Sequence, residues 1–162
     1  MLADPEAHGG NPKDAFHVVV PSLPGYGFSP PPPKVGMSSR KIAGLWRGLM
    51  AALGYDRFGA QGGDIGAGVS SWLGRLHPDS VVGIHLNYVP GSFQPSLEHA
   101  PPVTDEEQAF LDSRAAWSTL EGAYSALHAT KPQTLAFALS DSPVGLAAWI
   151  AEKFRGWSDC GG

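Results

Sequence analysis

Cysteine is nearly missing: Cys160 stands alone in 162 residues. No internal disulfide can form, and a reducing compartment is the simpler setting. Charge is sparse as well, with Asp, Glu, Lys and Arg at 16% against the roughly 25% usual for soluble domains. The formal net charge of −4 gives no electrostatic ground for expecting nucleic acid or an anionic membrane as partner. No apolar run approaches the ~20 residues needed to span a bilayer, and no basic-then-apolar leader opens the chain. These features together lead to the expectation of a soluble, cytoplasmic protein. Histidines and acids nowhere fall at metal-ligand spacing, and nothing suggests a nucleotide or flavin, so no metal or cofactor is expected.

What the chain does have is apolar content (43%) sufficient for a core, cut by 21 Gly and 15 Pro into many short segments. After a loop punctuated by Pro5, Gly9, Gly10 and Pro12, the run Phe16-His17-Val18-Val19-Val20 predicts a strand covered on both faces. A stiff connection through Pro30 to Pro33 leads to a helix. Ser38 can cap that helix, Ile42, Leu45, Trp46, Leu49, Met50 and Leu53 repeat at helical spacing, and Gly54 suits a left-handed stop. Arg57 to Gln61 is a weak strand candidate. A second helix with Ile65, Val69, Trp72, Leu73 and Leu76 on one stripe stops before Pro78, and residues 81–87 predict another buried strand. Alternating strands and helices with short joints argue an α/β fold, a parallel sheet flanked by helices, over residues 1–89.

The character changes near residue 90. A loop from Pro90 to Pro102 runs into Thr104-Asp105-Glu106-Glu107, a capping box. One long helix is predicted from there to about Thr130, with Phe110, Trp117, Leu120, Tyr124 and Leu127 on one side. A final helix starting at Asp141-Ser142-Pro143 should bury Leu146, Trp149, Ile150 and Phe154. Residues 90–162 therefore read as a helical cap, or lid.

Gly62-Gly63-Asp64-Ile65-Gly66 has the small-x-nucleophile-x-small spacing of a nucleophile elbow between a strand and a helix. So tight a turn forces its central residue into a strained conformation, and Gly62 and Gly66 are expected to let strand and helix approach. Asp64 would then stand in solvent at a helix N-terminus, where a carboxylate is favoured. Taken alone, the pentapeptide reads more simply as a helix cap in a glycine-rich loop. A dinucleotide-binding loop is disfavoured because the third glycine and the downstream ribose-binding acid are not evident.

The wider sequence shifts that balance. The segments Pro21-Ser22-Leu23-Pro24-Gly25-Tyr26-Gly27-Phe28-Ser29 and Gln61-Gly62-Gly63-Asp64-Ile65-Gly66, with the capped helix between them, resemble the epoxide hydrolase family of the α/β-hydrolase fold, in particular its microsomal-type branch. Gly122-Ala123-Tyr124, His128-Ala129-Thr130-Lys131-Pro132-Gln133-Thr134 and the stretch from Asp141 to Ile150 resemble the lid of that branch. The resemblance implies that Asp64 attacks an epoxide carbon to form an ester. Tyr124 matches the first of two lid tyrosines that protonate the opened ring, and the backbone N–H of Ile65 would hold the oxyanion when water cleaves the ester to a diol. An aspartate suits this chemistry because its ester has a carbonyl that water can attack, whereas serine would leave a stable ether.

The resemblance also implies a His-Gly-x-Pro segment upstream, and a histidine base, its acid partner and a second tyrosine downstream. His8-Gly9-Gly10 is not that upstream motif, since no strand precedes it. His17 and His85 are expected inside strands, His77 at a helix end, and His99 and His128 in the lid, none at a position that the family uses. The chain is thus expected to be a fragment, not competent for full turnover alone. A small lipophilic epoxide is the expected substrate, and homo-oligomer formation is open. Two rivals remain: a catalytically inactive remnant, and a haloalkane dehalogenase-like hydrolase. Against the dehalogenase stands Ile65, where those enzymes usually carry a halide-holding tryptophan.

Overall fold

The computed structural model describes residues 1–89 and 101–161. The chain divides into two compact units, Met1–Pro95 and Ser96–Gly162. The change of character expected at residue 90, most of the Pro90–Pro102 loop and His99 lie outside the described residues.

In the first unit, two short 3-10 turns, Glu6–His8 and Pro12–Asp14, precede helix α1 (Ser39–Ala52). Ser38 caps α1 by accepting the Lys41 N–H at 3.4 Å, and Gly54, at φ 85°, ends it with its N–H on Ala51 O. Strand β1 (Phe58–Gly62), helix α2 (Ile65–Leu76) and strand β2 (Val81–Leu86) then form a parallel β-α-β unit in which Gly62 pairs with Leu86. The core is small. Ile42 and Ala43 of α1 meet Val69 and Leu73 of α2, with Leu23, Met37, Trp46, Phe58, Trp72 and Val81 packed around them. Gly68 permits the close crossing of the two helices, because a Cβ there would lie 3.0 Å from Ser39 Oγ.

Three expectations for this unit need correction. Phe16–Val20 is not a strand: no ladder partner flanks it among the described residues, and Phe16, Val18 and Val20 are all exposed. Its fixed points are instead the Phe16 N–H on Leu2 O at 2.9 Å and a 2.7 Å hydrogen bond between His17 Nδ1 and the Tyr55 hydroxyl. On α2, Ile65 and Leu76 are exposed while Ala67 and Ser70 are buried beside Val69 and Leu73, so the buried stripe is turned from the expected one. On β2, Val82 and Ile84 are exposed, so the sheet is not covered on both faces by the described residues.

The second unit is four helices: α3 (Asp105–Glu121), α4 (Ala123–Thr130), α5 (Pro132–Asp141) and α6 (Pro143–Trp157). The capping box is formed in full. Thr104 Oγ1 accepts the Glu107 N–H at 3.3 Å, and the Glu107 carboxylate accepts the Thr104 N–H at 2.8 Å and its hydroxyl at 2.9 Å. The single long helix expected to Thr130 is broken at Gly122, where a Cβ would strike the Ser118 carbonyl. Helix α5 is additional to the helices that the sequence pattern predicts, and Pro132 at its first position starts it. Ser142 caps α6, accepting the Gly145 N–H at 3.1 Å, and α5 and α6 meet at a bend of 116°. None of these helices contains a fully buried residue. Phe110, Trp117 and Leu120 are exposed, and so are Leu146, Ile150 and Phe154, which the last helix was expected to bury. No single helix among the described residues is long and apolar enough to cross a membrane.

Candidate active site

Asp64 stands between the last residue of β1 and the first full turn of α2, with φ 49° and ψ −121°. It is the only non-glycine residue with positive φ among those described. For an L-residue that conformation costs about 1–3 kcal/mol, and backbone hydrogen bonds at the start of α2 hold it. The Asp64 carbonyl accepts the N–H groups of Ala67 (3.1 Å) and Gly68 (3.4 Å), while the Gly63 carbonyl also accepts from Ala67 at 3.2 Å. A Cβ at Gly62 would collide with the carbonyl of Gly66 and lie 2.7 Å from Ala67 N. Position 62 can therefore be only glycine if β1 is to run straight into α2. At Gly66 a Cβ would meet nothing within 4 Å, so the close approach expected of both glycines falls on Gly62.

The turn leaves the Asp64 side chain exposed. It does not cap α2, and no ion pair or hydrogen bond engages it among the described residues. The simpler reading of Asp64 as a helix cap is thereby removed. The N–H groups of Ile65 and Gly66, in the first turn of α2, have no intrahelical acceptor. With the helix dipole they form a ready seat for negative charge beside the carboxylate.

In the second unit Tyr124, near the start of α4, is half-buried. It lies in a cavity of about 510 Å³ shared with His128, Trp149, Ile150, Lys153, Phe154 and Trp157. Its ring is 5.1 Å from that of Trp157 and 6.3 Å from that of His128. The Lys153 ammonium sits 5.2 Å above Tyr124 and within 6 Å of the Trp149 and Trp157 rings, and it pairs with Glu152 at 2.8 Å. Although the helix breaks at Gly122, Tyr124 and Trp117 still face the same Trp157 ring of α6, as their shared stripe leads one to expect. Lys153 and Trp157 were not singled out from sequence; an aromatic-and-cation spacing on α6 was the available signal.

Neither His17, whose ring bonds the Tyr55 hydroxyl, nor any other described histidine bonds a carboxylate. His77 ends α2 with Nε2 buried and unpartnered, and His85 lies in β2 opposite Gln61. No cluster of three or more His, Cys, Asp or Glu capable of holding a metal occurs among the described residues.

A sharp strand–turn–helix bend holding a free acid at positive φ, on a parallel sheet, defines a class. Residues 9–157 match the model of the alpha/beta hydrolase fold family, and the chain belongs to that family. Among curated proteins it is 50% identical to a putative epoxide hydrolase of Stigmatella aurantiaca, over 98% of this chain and 36% of that protein. It is 37% identical to epoxide hydrolase 1 of Oryctolagus cuniculus, over 98% of this chain and 38% of the relative. Among solved structures, the Aspergillus niger epoxide hydrolase superposes with a TM-score of 0.72 at 34% identity, covering 91% of this chain and 39% of that one. The chain thus spans little more than a third of the length of these relatives.

Proposed function

We propose that this chain carries the nucleophile and a proton donor of an epoxide hydrolase acting on small lipophilic epoxides. One Asp64 carboxylate oxygen attacks an epoxide carbon, a new C–O ester bond forms, and the ring C–O bond breaks. The departing alkoxide takes the hydroxyl proton of Tyr124. Water attack on the ester carbonyl places negative charge on the former carbonyl oxygen, which the Ile65 N–H would hold. The aromatic cavity around Tyr124 favours an apolar substrate. The described residues contain no histidine–carboxylate pair to activate that water, so ester formation is the step they carry.

The observation behind this reading is the exposed, unengaged Asp64 carboxylate at φ 49°. A carboxylate held at that strain with no structural partner has its use elsewhere. The test is incubation of the 162-residue chain with an aryl epoxide, followed by intact-mass and peptide mass spectrometry. One equivalent should add to Asp64, and Asp64→Asn should block the addition. An adduct that persists in Asp64→Asn, or a wild-type chain that takes up no epoxide, would overturn the proposal and favour a catalytically inactive remnant.

A further inference from the structure

Lys153 lies on α6 with Trp149 one turn before it and Trp157 one turn after, a spacing that puts all three on one face of the helix. The two indole rings stand 5.8 and 5.6 Å from its ammonium. The third ring belongs to another helix: Tyr124 of α4, at 5.2 Å, is the nearest of the three. The lysine side chain is only 17% exposed, whereas its ion-pair partner Glu152, 2.8 Å away, is 60% exposed. A cation withdrawn this far from water, packed against three rings and tethered by an ion pair, is held in place. Packing along α6 accounts for the two tryptophans. It does not account for Tyr124, which reaches the same ammonium from α4 and is the residue that gives up a proton.

The face of a phenol ring carries partial negative charge, and it carries far more once the hydroxyl proton has left. A cation over that face is therefore attracted more strongly by the phenolate than by the phenol. An interaction that strengthens as the proton moves lowers the barrier to moving it. We propose that Lys153 acts through Tyr124, as a positioning residue that keeps a positive charge over the ring while the phenol gives up its proton. The phenol O–H bond breaks, the proton passes to the opening epoxide oxygen, and the electron pair stays on the phenolate. Lys153 itself neither gives nor takes a proton. This inference rests on the reading of Tyr124 as the proton donor.

The experiment follows, by peptide mass spectrometry, the rate at which Asp64 is labelled by styrene oxide and by benzyl bromide. The epoxide needs a proton at its leaving oxygen, whereas bromide leaves without one. Lys153→Met keeps the length of the side chain and removes its charge. It should slow epoxide labelling about tenfold and leave bromide labelling unchanged, and Lys153→Arg should restore most of the epoxide rate. Once Tyr124→Phe has removed the donor, Lys153→Met should slow labelling no further. A wild-type epoxide rate in Lys153→Met overturns the proposal alone. Equal slowing toward both reagents, or additive losses in the double variant, would give Lys153 a purely structural part and overturn it too. A wild-type epoxide rate in Tyr124→Phe, or no labelling of the wild-type chain, removes the underlying reading and this proposal with it. Where Lys153→Met fails to fold, Glu152→Gln decides. Removing the exposed counter-charge leaves more of the ammonium's charge to the ring, so epoxide labelling should quicken and bromide labelling should not; an unchanged or slower epoxide rate overturns the proposal.

Discussion

The Trp157 indole N–H donates to Glu121 Oε2 at 3.1 Å, tying the last residue of α6 to the last residue of α3. The same indole stacks 5.9 Å from Trp117 and 5.1 Å from Tyr124, so one side chain joins three helices in a unit that has no fully buried residue. Trp157→Phe should keep the ring contacts and lose only the hydrogen bond, at about 0.5–1.5 kcal/mol or less. Trp157→Ala should cost clearly more, because the stacking goes too. Denaturant melts followed by near-ultraviolet circular dichroism would separate the two, and equal losses would show that the ring contacts contribute nothing.

The two elbow glycines should respond oppositely to alanine. Gly62→Ala drives a methyl group into the Gly66 carbonyl, and a backbone collision in a tight turn should cost upwards of about 4 kcal/mol. Gly66→Ala meets open space in a helical turn, where alanine is favoured by up to ~1 kcal/mol. Urea midpoints of the two variants check this. Equal destabilisation would mean that Gly66 is also needed for the close approach.

Glu107 titrates below its ordinary value because its carboxylate accepts first the backbone N–H and then the hydroxyl of Thr104. A carboxyl group whose folded pKa is depressed adds stability above its ordinary value, near 4.5, and loses that contribution as pH falls through the lower folded value. Helix α3 should therefore begin to fray at its start on acidification. Glu107→Gln should already lack most of that acid-sensitive part. Far-ultraviolet circular dichroism of both proteins from neutral to strongly acidic pH tests the sign; a wild-type chain that gains helix on acidification would contradict it.

The elements legible in the sequence were those written in local signals. Ser38 and Gly54 bound α1, the Thr104–Glu107 pair opens α3, and the spacing around Asp64 marks the bend. What stayed hidden depended on distant partners or on competition between local rules. Phe16–Val20 has strand composition, but a strand exists only through a neighbour's hydrogen bonds, and composition does not say whether one is there. Gly122 inside a helical pattern reads as tolerated, yet here it breaks the helix into α3 and α4. Lys131-Pro132 reads as an interruption, although proline at a first helical position starts α5. The pairing of Gly62 with Leu86 comes from sheet register, which no local motif encodes.

The φ of 49° at Asp64 also means that this residue works against the folding of its own domain. Glycine would adopt the same bend without the Cβ penalty, so Asp64→Gly should raise the unfolding free energy by about 1 kcal/mol or more while destroying any capacity for esterification. A calorimetric scan in which that variant melts earlier than wild type would contradict this. Thermostability selected without regard to chemistry would therefore tend to erase the acid first, and a screen for sturdier variants has to be run alongside an alkylation assay.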